Sequence, residues 1–240
     1  MFLGHYAVGL AAKQVAPRAS LGVLVAAPIL LDLLWPILLL LGWEHVTIEP
    51  NRNPFLRLFF DSYPISHGLI AVAAWATLFG SLYFGLTRYL PGAIGIWLGV
   101  VSHWVMDLVV HRPDLPLYTG SRLWGFGLWN YRGVTIGIEL ALLALGVFLY
   151  LRQTRARDWI GKYVFWAFVL FLLAAYGGAA FGPPPRSVRM LIIVALCTAI
   201  FIPWAWWFDR HREARVVDAL LKSDQVDQRP REKKVIHAGG

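Results

Sequence analysis

Six apolar runs, at residues 19–43, 64–87, 91–110, 133–151, 159–181 and 187–208, each approach the roughly 20 residues that a helix needs to cross about 30 Å of hydrocarbon. A water-soluble fold would have to bury each of them on all sides. With 58% hydrophobic and only 15% charged residues, the chain lacks the polar surface to do so. Inside a bilayer each backbone group must be hydrogen-bonded within its own segment, which makes the helix the form such runs take. A shorter apolar stretch, 2–16, is interrupted by Lys13 and ends near Pro17, and reads as a short span, a half-span or an interfacial helix. The expected fold is an all-α, multi-pass transmembrane helix bundle of about seven helices: six long spans plus a short N-terminal helix.

Breaker residues divide the chain. Pro17 separates the first two helices, the polar run Glu49-Pro50-Asn51-Arg52-Asn53-Pro54 is a loop, Pro91-Gly92 opens the fourth helix, and Gly182-Pro183-Pro184-Pro185 connects the last two spans. Residues 1–208 are expected to form the transmembrane domain. Residues 209–240 form a basic cytoplasmic tail, with a surface helix over 209–222. Lys13, Arg18, Arg88, Arg152, Arg155, Arg157, Lys162 and the tail fall on one side of seven alternating helices, which places the N-terminus outside and the C-terminus in the cytoplasm. No basic stretch precedes the first apolar run and His5 interrupts it, so the N-terminus is expected to be retained.

Cys197 is the only cysteine, so a disulfide within the chain and a thiolate cluster are excluded, and a metal would have to use histidine and carboxylate ligands. The net charge of +8 sits beside the spans and in the tail, which points to membrane lipids rather than nucleic acid as the partner. Trp43, Trp124, Trp129, Trp159, Trp204, Trp206 and Trp207 fall at span ends and read as an interfacial belt. Arg52, Arg57, Arg112, Arg122 and Arg132 in the outer loops are candidates to hold an anionic head group.

An ionisable residue inside a span costs about 2.5–3.5 kcal/mol on insertion scales and therefore needs a partner, a cavity or a function. His5, Asp32, His67, His103, Asp107 and Glu139 are such residues, and alternation of the helices brings them toward one end of the bundle. Within Ser102-His103-Trp104-Val105-Met106-Asp107 an imidazole and a carboxylate lie four residues apart on one helical face, and His111 continues that face. Such a pair can ligate a divalent ion, with His67 and either His5 or Asp32 completing three or four N/O ligands. The alternative for His103 and Asp107 is a hydrogen-bonded pair that fixes helix packing.

Gly4-His5, Asp32 followed by a proline, Ser66-His67-Gly68-Leu69, and Leu98-Gly99-Val100-Val101-Ser102-His103 with Asp107 resemble the motifs of the YdjM-like family of bacterial inner-membrane proteins, described as metal-dependent hydrolases. The resemblance covers the first half of the chain. It implies that His5, Asp32, His67, His103 and Asp107 are metal-site positions, and that the protein resides in a bacterial inner membrane. The chain departs from the family at Leu30, where the first acid of a P-D-x-D element is replaced, and at Ser62-Tyr63, which replaces a His-Arg pair.

The expected function is therefore metal-dependent hydrolysis of a lipid or lipid-linked ester or phosphoester. One zinc or manganese ion would lower the pKa of bound water, with Asp32 or Glu139 as base, and the substrate would arrive by lateral diffusion. The alternatives are a transporter that uses the same cluster to carry a cation or relay protons, and haem held by facing histidines.

Overall fold

The computed structural model describes residues 1–50, 55 and 57–215. It is an all-α bundle in which six helices are long and apolar enough to cross a membrane: Leu21–Leu40, Leu69–Thr87, Leu90–Val110, Arg132–Gln153, Ile160–Phe181 and Val188–Asp209. We label the helices α1 (Phe2–Ala11), α2 (Leu21–Leu40), α3 (Pro64–His67), α4 (Leu69–Thr87), α5 (Leu90–Val110), α6 (Arg132–Gln153), α7 (Phe165–Phe181), α8 (Val188–Cys197) and α9 (Phe201–Asp209). A widened turn at Ile160–Val164 leads into α7, and a tight turn at Thr198–Ile200 joins α8 to α9.

Local chemistry explains the helix ends. Ser20 caps α2 by accepting from the Val23 amide, and Ser187 caps α8 by accepting from the Met190 amide. Pro91 lies in the first turn of α5, where its missing N–H costs nothing. Helix α7 stops at Gly182, before three consecutive prolines.

Helix α1 resolves the choice left open by the sequence. At about 15 Å it is too short to span, and it is enclosed within the bundle rather than laid at its surface. Leu3, His5, Tyr6 and Leu10 are all buried. It packs between α2 and α6, and two glycines make the close approach possible. A Cβ on Gly9 would meet Val25 Cα at 2.8 Å, and one on Gly146 would meet the Ala7 carbonyl oxygen at 2.6 Å.

At one end of the bundle, strands β1 (His45–Ile48) and β2 (Leu58–Ser62) form an antiparallel hairpin, and β3 (Leu115–Pro116) pairs with β4 (Leu123–Trp124). At the opposite end β5 (Thr154–Ala156) pairs with β6 (Arg212–Ala214). The surface helix expected over 209–222 is not formed over 210–214: Asp209 ends α9, residues 212–214 are a strand held by the β5 ladder, and Arg215 is helical. The rest of that stretch, and Arg52 among the candidate loop arginines, lie outside the described residues.

Beside this small sheet a buried ion pair ties three helices together. Lys13 Nζ lies 2.8 Å from Asp209 Oδ2, which also accepts from the Leu21 amide, while Oδ1 accepts from the Tyr150 hydroxyl. Lys13, read as an interruption in an apolar stretch, is thus the partner that allows Asp209 to be buried.

Candidate metal centre

The end of the bundle that carries the β1–β2 hairpin gathers five helix-borne ionisable groups. His5 comes from α1, Asp32 from the middle of α2, His67 from the last residue of α3, and His103 and Asp107 from successive turns of α5. Their donor atoms form two overlapping groups, His5/His103/Asp107 and Asp32/His67/His103, in which the ligand atoms lie within 4.8 Å of one another. All are buried except Asp32, whose side chain is 44% exposed.

Hydrogen bonds on the far side of each ring determine what faces the centre. The Nδ1–H of His103 donates to the Pro28 carbonyl at 2.6 Å, so its Nε2 carries a lone pair. Ser66 Oγ gives its one proton to Glu44 Oε2 at 2.6 Å, and therefore accepts from His67 Nδ1 at 2.7 Å, which again leaves Nε2 free. Glu44 is itself held by the amides of Ile65 and Ser66 at the start of α3. Outward acceptors of this kind are how metal-binding imidazoles are oriented.

His111, just past the end of α5, follows the same pattern. Its Nδ1–H donates to Asp114 Oδ1 at 2.9 Å, and Asp114 also accepts from the Tyr63 hydroxyl at 3.1 Å. Burial by itself lowers the pKa of His111, but hydrogen bonds to Asp107 and Asp114 outweigh it and raise the value above 6.5. The field that favours a proton there favours any other cation too. Burial, followed by the neighbouring Asp114 charge, holds the Tyr63 phenol well above its ordinary value, so Tyr63 acts as a neutral donor. The sequence shows His111 as a continuation of the His103/Asp107 face. Its partner Asp114 lies in the following loop, and nothing in the local spacing marks the two as a pair.

Three Nε2 atoms therefore converge on one carboxylate oxygen. Asp107 Oδ2 lies 3.1 Å from His103, 3.6 Å from His111 and 3.9 Å from His67. His67 and His103 are 3.2 Å apart at Nε2, and Asp32 Oδ1 is 3.8 Å from each. Ligands held about 2.1 Å from a tetrahedral ion stand about 3.4 Å from one another, which is the middle of this range. The chemistry and spacing of the donors fit a small divalent cation.

His5 joins the cluster through the other oxygen of Asp107, and Glu139 stands apart from it. His5 Nε2 faces the other oxygen of Asp107, at 3.3 Å from Oδ1, and the Met1 amino group lies 2.5 Å from that oxygen. His5 stacks on His103 at 3.9 Å, but among the described residues its Nδ1 has no hydrogen-bond partner, so no outward acceptor there fixes its tautomer. Glu139 lies at the start of α1, where Oε2 accepts from the Leu3 amide at 2.6 Å, and it belongs to neither donor group.

A cavity of about 230 Å³ opens beside the cluster, lined by Asp32, His67, Asp107 and His111 together with apolar side chains from α1, α2, α8 and the β1–β2 hairpin. Trp129, read as a belt residue, is instead buried in its wall, with its ring centroid 4.4 Å from that of His111. Trp43 and Trp159 are more than half exposed, as belt residues would be. Arg112 does not offer itself to a head group: it donates to the Leu58 carbonyl and pairs with Asp114, anchoring the hairpin. Arg132 donates to the Ala180 carbonyl and lies over Phe181, and Arg122 lies over Trp124. Comparison with protein-family models, curated proteins and solved structures returns no match for this chain.

Proposed function

We propose that the chain is a membrane-bound, metal-dependent hydrolase of a lipid or lipid-linked ester or phosphoester, working at the hairpin end of the bundle. The observation that carries this reading is the convergence of the His67, His103 and His111 Nε2 atoms on Asp107 Oδ2, each ring having its Nδ1–H turned outward. His67, His103 and Asp107 would hold the ion, with His5 or His111 as a further ligand, which leaves Asp32 free. A divalent ion bound there supplies a Lewis acid and an acidified water.

The remaining chemistry falls to the chain. Asp32 is the one carboxylate of the cluster that opens substantially to the cavity, so it is the group placed to accept a proton from the attacking water. The β1–β2 hairpin supports the exclusion of bulk water: Leu58 and Phe60 line the cavity, and Phe60 packs against Tyr63 and His111. With the N-terminus outside and the tail cytoplasmic, this end would face away from the cytoplasm of a bacterial cell. Reporter fusions in the loop 112–132 test that orientation, and a cytoplasmic signal there would reverse it.

Elemental analysis of the detergent-purified protein tests the reading directly. About one transition-metal ion per chain, with ester hydrolysis lost on chelation and restored by zinc or manganese, is the expected result. A metal-free protein that moves protons or cations across a vesicle membrane would replace the hydrolase with a transporter.

A further inference from the structure

The cavity beside the cluster is covered along the bundle axis and open at its side. At the hairpin end Leu58 and Phe60 of β2 lie across it, and His67, Asp107 and His111 form its inner wall. Among the described residues that line it, two are exposed: Ala179 on α7 and Val194 on α8. Those two helices leave a gap. Helix α7 packs against α9 and α8 against α2, while α7 and α8 make at most a marginal contact with each other. The mouth of the cavity therefore lies between α7 and α8, and the small side chains of Ala179 and Ala195 leave the passage free of bulk.

The depth of the mouth determines what meets it. Both helices belong to spans, joined at the hairpin end. Ala179 lies two residues before the end of α7 and Val194 six residues after the start of α8, which is about 3 Å and about 9 Å of helix rise. Asp32 lies eight residues before the end of α2, about 12 Å in. An opening in the outer third of a roughly 30 Å hydrocarbon layer faces acyl chains just beneath the ester linkages of a bilayer lipid. A carboxylate such as Asp32 at the bottom of that opening is costly unless a polar group or an ion comes to it. At about 230 Å³ the cavity is smaller than the roughly 300 Å³ at which sites for whole drug-sized ligands begin, so a lipid would seat only its head end and leave its chains in the bilayer.

We infer that a bilayer glycerolipid enters the site through a lateral portal between α7 and α8, presenting its ester or phosphoester end to the cluster. This deepens the hydrolase reading and rests on it for turnover, though not for entry.

The test uses the full chain in phosphatidylglycerol nanodiscs in which a trace of the lipid carries a diazirine next to one ester carbonyl. Tyr6 and Ile29 line the cavity and are each only 2% exposed, so lipid outside the bundle does not reach them. They should be photolabelled about tenfold more than Leu10, which is equally buried but outside the cavity lining. Ala179→Trp should bring their labelling down to the Leu10 level with thermal stability unchanged. Should that variant not fold, Val194→Trp fills the mouth from its other side. Labelling of Tyr6 and Ile29 no stronger than that of Leu10, or unaffected by either substitution, would overturn the portal. Labelling without lipid hydrolysis by the metal-loaded protein would leave the portal standing and sink the hydrolase. Hydrolysis of a water-soluble short-chain ester without labelling would do the reverse.

Discussion

His67 and His103 place their Nε2 atoms 3.2 Å apart, while Ser66 and the Pro28 carbonyl occupy the opposite sides of the two rings, so that with both rings neutral each Nε2 presents a lone pair. Two facing lone pairs repel unless a cation lies between them. A proton or a metal ion would satisfy the pair, and the carboxylates of Asp107 and Asp32, within 4 Å of these nitrogens, add the oxygen donors that a divalent ion takes beside imidazole. His103→Ala should leave the bundle folded and remove most bound metal. In the wild type, chelation should lower thermal stability, by about 2.7 kcal/mol where metal stood at a hundred times its dissociation constant, and in His103→Ala it should change little. A destabilised variant with unchanged metal content would show that His103 is a packing partner of Asp107 instead.

Ser66→Ala tests the outward hydrogen bonds without touching the proposed ion. It removes the acceptor that holds His67 Nδ1–H and leaves Glu44 with its two amide donors, so the turn at α3 should persist. Metal affinity should fall by about 10–100-fold, the usual effect of removing such a partner. Isothermal titration with zinc measures it, and an unchanged affinity would mean that His67 is oriented by packing alone.

The spans were legible because their signal is local: some twenty apolar residues between breakers. The cluster was legible for a related reason, since an ionisable residue in an apolar run is conspicuous wherever it lies, and His5, Asp32, His67, His103 and Asp107 do meet. What the sequence withheld depends on contacts between distant segments. Trp129 has the composition of a belt residue and becomes a cavity wall only because the segment before α6 folds back over His111. Lys13 and Asp209 are 196 positions apart, and neither announces the other. Glu44 lies in a loop whose polarity looks ordinary, yet it reaches His67 through Ser66.

The Lys13–Asp209 pair should behave as a buried clasp. Both side chains are less than a tenth exposed, and Asp209 also holds the Leu21 amide and the Tyr150 hydroxyl. Removing one partner leaves an uncompensated charge, so Lys13→Met is expected to destabilise the bundle by about 3–5 kcal/mol. The double variant Lys13→Met/Asp209→Asn should recover part of that loss. Thermal unfolding of the three proteins in detergent decides the matter, and a single variant as stable as wild type would show that water reaches the pair.

Gly146→Ala tests whether α1 is held inside the bundle by close backbone approach. The added Cβ would lie 2.6 Å from the Ala7 carbonyl oxygen and 2.7 Å from Ala7 Cα, so helix α1 or α6 has to move, with no flexible side chain to absorb the clash. Overpacking of this kind costs about 1–3 kcal/mol. The displacement should also reach the proposed metal centre, since His5 of α1 and Met1, which precedes it, contact Asp107. Gly137→Ala on the same helix, where a Cβ meets nothing, is the matched control and should be neutral or slightly stabilising. Thermal stability and zinc affinity of the two variants are measured side by side. Equal values for both would mean that α1 and α6 are farther apart than their glycine contact indicates.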